Sequence, residues 1–140
     1  MRLLQMTIVL FAGAVLGAAA GAPDLARLKV TRSDLIPQCL DGTRVPSGKR
    51  SWDLPAGESS LVFSMRSQPR HGEPAPDSGW AAITFTAESG HQYEAEVRAD
   101  STAFSTRVWR SGEWTPVIRD RTTDRIVSST PVWSAQASCR

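Results

Sequence analysis

Apolar and polar residues alternate along the middle of this chain. From residue 81 to 87, and again from 93 to 99, every second residue is apolar, and most positions between them are Thr, Glu or Arg. Side chains point to opposite faces of a strand in turn, so this period buries one face and leaves the other in water. Residues 88–91 between the two runs favour a tight turn. The pattern predicts two antiparallel strands joined as a hairpin.

Shorter alternating runs on either side extend the β prediction to most of the chain. The other predicted strands are residues 27–31 at a sheet edge, residues 61–66, 105–109, 115–119 and 125–129, and residues 130–137, held at an edge by Pro131. Turn residues occupy positions 40–43, 55–58, 110–113 and 120–124. We therefore expect an all-β fold, an antiparallel β-sandwich of about seven to eight strands, with a partly open barrel as the alternative.

The N-terminus has the three parts of a secretory signal. Arg2 precedes an apolar run at residues 6–16, and small residues follow at 17–22. The run is shorter than the roughly 20 apolar residues that span a bilayer, so we expect cleavage rather than an anchor. The predicted organisation is a signal peptide at residues 1–20 and one domain at residues 21–140. This places the protein in the periplasm or outside the cell, without stable membrane insertion.

The charge balance excludes some partners. The chain has 16 basic and 14 acidic residues, and Arg2 is lost with the signal. A nearly neutral domain has no strong field to attract nucleic acid or an anionic membrane.

Cys39 and Cys139 are the two cysteines of the chain. In an exported protein an even number of cysteines favours a disulfide. The alternative, a redox pair, lacks the CxxC spacing that lowers a thiol pKa. We predict one structural bridge.

No pattern of catalytic or metal-binding residues stands out. His71 lies in a loop rich in Pro and Gly at residues 67–79, His91 lies in a turn, and neither has an acidic partner at a recognisable spacing. Asp120 and Asp124 lack the spacing of a calcium-binding loop, and the histidines and cysteines do not form a zinc ligand set. The sequence predicts no enzyme activity, no metal and no cofactor.

Five tryptophans are many for a domain of this size. Large aromatics often fill the open ends of a small β core, but they also form platforms for sugars or peptides. Trp109 is the best candidate for exposure, because it is out of phase with its neighbour Val108. Core filling is the leading interpretation of the tryptophans, and the alternative is a ligand surface formed by Trp109, Arg107, Arg110 and His71.

Three segments carry a family resemblance. Residues 54–58 (LPAGE) precede a strand, residues 85–93 (FTAESGHQY) span a turn, and residues 118–127 contain a second turn. Together they resemble small bacterial envelope proteins, often lipoproteins, that have a β-sandwich similar to PEGA-type domains. This chain departs from them in lacking a lipidation cysteine and in having Asp124 where Gly is expected. The resemblance implies no enzymatic activity.

These observations favour a non-catalytic module that binds an envelope protein or glycan through its sheet edges and loops. Two alternatives stay open: a carbohydrate-binding module that uses exposed tryptophans, and a hydrolase with an unrecognised site.

We expect the exported protein to begin at Gly21, because Ala18 and Ala20 supply the small residues that signal cleavage requires. N-terminal sequencing of protein recovered from the periplasm or the medium checks this. Cleavage after Ala22 would instead leave Pro23 at the terminus, and an uncleaved chain would retain Arg2.

Overall fold

The computed structural model describes residues 24–99, 107–134 and 139. The predicted signal at residues 1–20 lies outside them. The described residues form ten strands: β1 (Ala26–Lys29), β2 (Leu35–Leu40), β3 (Thr43–Arg44), β4 (Ser51–Leu54), β5 (Gly57–Met65), β6 (Trp80–Ala87), β7 (Gln92–Ala99), β8 (Trp114–Asp120), β9 (Arg125–Ile126) and β10 (Val132–Ser134). Within the described ranges, no helix is long and apolar enough to cross a membrane.

The strands form two five-stranded sheets packed as a sandwich. The first sheet has the order β4-β1-β7-β8-β9, and the second has the order β10-β6-β5-β2-β3. This confirms the all-β prediction and its sandwich-like form. The strand count is higher than predicted: β2, β3 and β4 were missed, whereas residues 107–109 of one predicted strand are not part of a sheet.

Strand β2 was missed because Pro37 lies in its interior. Proline cannot donate a ladder hydrogen bond, so a strand that contains it is usually assigned to a loop. Here β3 pairs only with Cys39 and Leu40, and the register of β2 against β5 shifts between Pro37 and Cys39. Pro37 is therefore tolerated at a bulge, on a stretch of β2 that β3 does not cover.

The core lies between the sheets and is made by the alternating residues. Every second residue of β6 is buried, as predicted, and β5 and β7 contribute in the same way. The core residues of these three strands are Leu61, Phe63, Met65, Ala81, Ile83, Phe85, Ala87, Tyr93 and Ala95. Burial of this apolar surface is the main favourable term for folding.

The predicted hairpin between residues 81–87 and 93–99 is wrong. Strand β6 belongs to the second sheet and β7 to the first, so residues 88–91 cross from one sheet to the other. Gly90 makes this crossing in the left-handed region, with φ of 77°. Alternation shows which face of a strand is buried, but it does not select the partner strand.

Strand β1 also lies elsewhere than expected. It is not an edge strand: it pairs antiparallel with β4 and parallel with β7. The first sheet is therefore mixed, and the prediction of a wholly antiparallel sandwich is wrong at this strand.

The C-terminal predictions hold in part. Residues 107–109 of the predicted strand 105–109 are not extended in a sheet, and residues 105 and 106 lie outside the described ranges. The predicted turn at residues 120–124 is confirmed, and it joins β8 and β9 as a hairpin, although β9 is short. Asp124, where the resemblance expects Gly, has φ of 57°, a conformation that Asp adopts more readily than most side chains. Strand β10 lies at a sheet edge, as Pro131 predicted.

The predicted disulfide is present. Cys39 on β2 is bonded to Cys139, with 5.4 Å between the Cα atoms and a sequence separation of 100 residues. The bridge ties the end of the chain to the second sheet. A bond of this kind is typical of a protein from an oxidising compartment.

Replacing both cysteines by alanine should lower the free energy of unfolding by up to about 4.7 kcal/mol, because the bridge closes a long loop in the unfolded chain. Urea denaturation followed by tryptophan fluorescence measures the loss, and reduced wild-type protein is the control. An unchanged denaturation midpoint would contradict this account.

Candidate functional site

A cavity lies at one end of the sandwich, beyond the end of β1 and of β5. Its volume is about 360 Å³, within the range of small ligand pockets. The described residues that line it are Arg32, Ser33, Asp34, Arg66, Gln68, Arg107 and Trp109. We call it the arginine cavity.

Trp109 forms the buried floor of this cavity. Only 1% of its surface is exposed, and Cζ of Arg32 lies 5.0 Å from the centre of the ring. A guanidinium at this distance from an indole is in cation–π contact. The expected exposure of Trp109 is therefore wrong. Alternation does not apply there, because Arg107 has φ of 52° and the chain turns instead of extending.

Hydrogen bonds hold the two loops that meet at Trp109. The amide of Trp109 donates to Oγ of Ser67 at 2.8 Å, and the amide of Gln68 donates to the carbonyl of Arg107 at 3.0 Å. These bonds join the segment after β5 to the segment before β8. Arg107 and Trp109 are thus placed on a fixed backbone.

The turn between β1 and β2 forms the opposite wall. The Arg32 guanidinium makes two hydrogen bonds to the Asp34 carboxylate, and the Asp34 carbonyl accepts the amide of Arg66 at 2.8 Å. Arg50 holds the turn from outside, donating to the carbonyls of Arg32 and Leu35, both at 2.9 Å, and to that of Ser33 at 3.0 Å. These hydrogen bonds fix the backbone of the turn that forms this wall.

The cavity has an excess of positive charge. Three arginines and one aspartate line it, a net formal charge of +2. Asp34 is engaged by Arg32. Within the part of the chain that the structure describes, neither Arg66 nor Arg107 forms an ion pair. Both are exposed and available to an anionic group.

The structure brings together two of the four residues of the expected ligand surface. Arg107 and Trp109 line the cavity, whereas Arg110 and His71 are exposed and do not belong to its described lining. Sequence reasoning missed Arg32, Asp34 and Arg66. No local signal could have found them, because the cavity is lined by three separate segments, at residues 32–34, 66–68 and 107–109, that only the tertiary structure brings together.

A second cluster lies at the opposite end of β1. Nδ1 of His91 is 2.7 Å from Oδ2 of Asp120 and 3.2 Å from Oε2 of Glu88. We call these three residues the His91 cluster. The expectation that neither histidine has an acidic partner is wrong for His91. Strand pairing supplies this partner, because Tyr93 of β7 lies opposite Asp120 of β8.

Hydrogen bonds to both carboxylate oxygens hold Asp120 in place. It is 3% exposed, and its Oδ1 accepts the amides of Thr122 at 2.9 Å and Thr123 at 3.4 Å. Burial by itself raises the pKa of this carboxyl, but the hydrogen bonds from His91 and the two amides outweigh it, and the pKa lies below its ordinary value.

The electrostatic environment of His91 favours its charged form. The hydrogen bond to Asp120 raises the pKa of His91 above 6.5, burial opposes the shift, and the charges of Asp120 and Glu88 add to it. The ring also stacks on Tyr93, with 6.2 Å between the ring centres. Burial raises the pKa of Tyr93. The Tyr93 hydroxyl accepts a hydrogen bond from the amide of Glu88 at 2.7 Å, and this bond opposes part of the rise in pKa.

A shallow cavity of about 610 Å³ adjoins the cluster. Its described lining includes His91, Asp24, Asp53 and Arg27, the last two paired at 3.3 Å. The described lining of this cavity therefore has two carboxylates and one guanidinium group.

Comparison of the chain with protein-family models, with curated proteins and with solved structures found no match.

The contact with Asp120 predicts that His91 titrates above pH 6.5 in the folded protein. Its contribution to stability is present in full below pH 6.5, and is lost as the pH rises through the raised pKa. NMR titration of the imidazole in chelator-treated buffer measures this pKa. Asp120→Asn should lower it, whereas Asp124→Asn in the same hairpin should have little effect. A His91 pKa at or below 6.5 in the wild type would rule out the proposed contact.

Proposed function

We propose that this protein is an exported, non-catalytic binding module that takes a carboxylate-bearing segment of an envelope or extracellular protein in the arginine cavity. The observation that carries the proposal is the net positive lining of a cavity whose walls are fixed by hydrogen bonds. The disulfide supports the exported location. Kinship with bacterial envelope β-sandwich proteins is part of the same proposal.

Arginine is well suited to this role. Its planar guanidinium presents paired N–H donors that match the two oxygens of a carboxylate. Arg32 is committed to Asp34 and Trp109, so Arg66 and Arg107 are the residues that we expect to contact the ligand. The ordered backbone at both positions reduces the entropy lost on binding.

The burial of the tryptophans favours a peptide over a stacked sugar. Trp52, Trp109 and Trp114 are buried, and Trp80 and Trp133 are half-buried. A sugar platform needs an open aromatic face. The buried Trp109 therefore gives no support to a carbohydrate-binding module.

The surroundings of His91 support a non-catalytic role. His91 and Asp120 have the geometry of a base and its orienting acid, but a hydrolase also needs a nucleophile aimed at the base. The neighbouring Ser89 hydroxyl donates to the carbonyl of Asp24. This hydrogen bond holds the segment before β1 against the turn that contains Ser89.

The test is binding of a short, end-capped Glu-rich peptide to the disulfide-bonded protein, compared with its Gln-substituted counterpart. The Glu peptide should bind, and binding should weaken as ionic strength rises. The double variant Arg66→Gln/Arg107→Gln should lower affinity at least tenfold, because charged hydrogen bonds contribute about 1.5–3 kcal/mol each.

Arg110→Gln is the matched control, since Arg110 is exposed but does not belong to the described lining. Its affinity should stay near that of the wild type. Equal binding of the Glu and Gln peptides, or equal losses in the cavity and control variants, would overturn the proposal. Binding of acidic glycans but not of acidic peptides would also overturn the choice of partner.

A further inference from the structure

The His91 cluster combines the donor types that bind transition metals. One donor atom from each of Glu88, His91 and Asp120 lies within 4.8 Å of the other two. An imidazole with carboxylates binds divalent first-row metals, whereas Ca²⁺ takes six to eight oxygen ligands. Three donors, one of them nitrogen, favour the first class.

We propose that Glu88, His91 and Asp120 form a binding site for a divalent transition-metal cation, with Zn²⁺ as the test case. The ligand atoms are Oε2 of Glu88, Nδ1 of His91 and Oδ2 of Asp120. The site is independent of the arginine cavity and of the proposed peptide ligand.

The distances require a small adjustment. Zinc bonds to nitrogen and oxygen are about 2.0–2.2 Å long, so tetrahedral donors lie roughly 3.3–3.5 Å apart. The separation of 3.2 Å between Glu88 and His91 is close to this range, and that of 2.7 Å between His91 and Asp120 must open by about 0.6 Å. The cation takes the place of the proton that His91 shares with Asp120.

The exposure of Glu88 and the hydrogen bonds that hold Asp120 both suit this adjustment. The side chain of Glu88 is 65% exposed, and it can move toward a cation. Asp120 is held by the amides of Thr122 and Thr123 through the oxygen that is not a ligand. Support of this kind orients a ligand and strengthens metal binding.

Charge and access also favour a cation. Among the described residues, neither Glu88 nor Asp120 pairs with Lys or Arg. Within that part of the chain, His91 is the ion-pair partner of both carboxylates. The adjoining cavity gives a path from solvent, and Asp24, Asp53 and Arg27 in its described lining have a net formal charge of −1.

Isothermal titration of the disulfide-bonded protein, expressed from its full sequence, with Zn²⁺ tests the proposal. The wild type should bind one equivalent with a dissociation constant tighter than about 100 µM. Binding should release a proton from His91, measured as a dependence of the heat on the ionisation enthalpy of the buffer.

Glu88→Gln is the decisive variant, because an exposed side chain can be changed without disturbing the core. It should weaken Zn²⁺ binding at least tenfold, while Glu58→Gln, also exposed, should bind as the wild type does. His71→Ala is the control for the other histidine, and it should leave the affinity for Zn²⁺ unchanged. His91→Ala should abolish binding.

Three results would each overturn the metal site: no saturable Zn²⁺ binding, wild-type affinity in Glu88→Gln, or loss of binding in His71→Ala. Thermal denaturation of each variant without metal shows whether the fold is intact. The Arg66→Gln/Arg107→Gln variant should keep full Zn²⁺ affinity, so failure of the peptide proposal and failure of the metal proposal are distinguishable.

Discussion

The backbone hydrogen bonding of β1 within the first sheet determines where both candidate sites lie. This strand is inserted between β4 and β7, with Leu28 fully buried at its centre. At its start, the amide of Arg27 donates to the carbonyl of His91 at 3.0 Å, and at its end, the amide of Val30 donates to the carbonyl of Arg50 at 2.8 Å. The first contact places the His91 turn, and the second places the arginine that holds the cavity wall.

The two ends of the sandwich differ in charge although the whole chain is nearly neutral. Guanidinium groups line the cavity beyond the end of β1, and carboxylates surround His91 near its start. Net charge is a poor guide to binding in such a molecule, because a ligand responds to the field at the surface it reaches. The low total charge argued against nucleic acid in general, but it did not reveal two local sites of opposite sign.

Two errors of the sequence predictions come from relying on local alternation. Alternation correctly identified the buried faces of β5, β6 and β7, because burial depends only on the period of the pattern. It did not identify strand partners, so a crossing between sheets was taken for a hairpin. Trp109 was expected to be exposed because its segment was treated as a strand, whereas the left-handed conformation of Arg107 turns the ring into the core.

By itself, the sequence determined the β class, the apolar faces and the pairing of Cys39 with Cys139, since these depend on local periodicity and on the presence of two cysteines. Only the tertiary structure decided which strands are neighbours. It therefore decided that Asp120 contacts His91 and that Arg32, Arg66 and Arg107 share one cavity. Such contacts join residues far apart in the chain, and their formation depends on packing energies summed over both sheets rather than on any local motif.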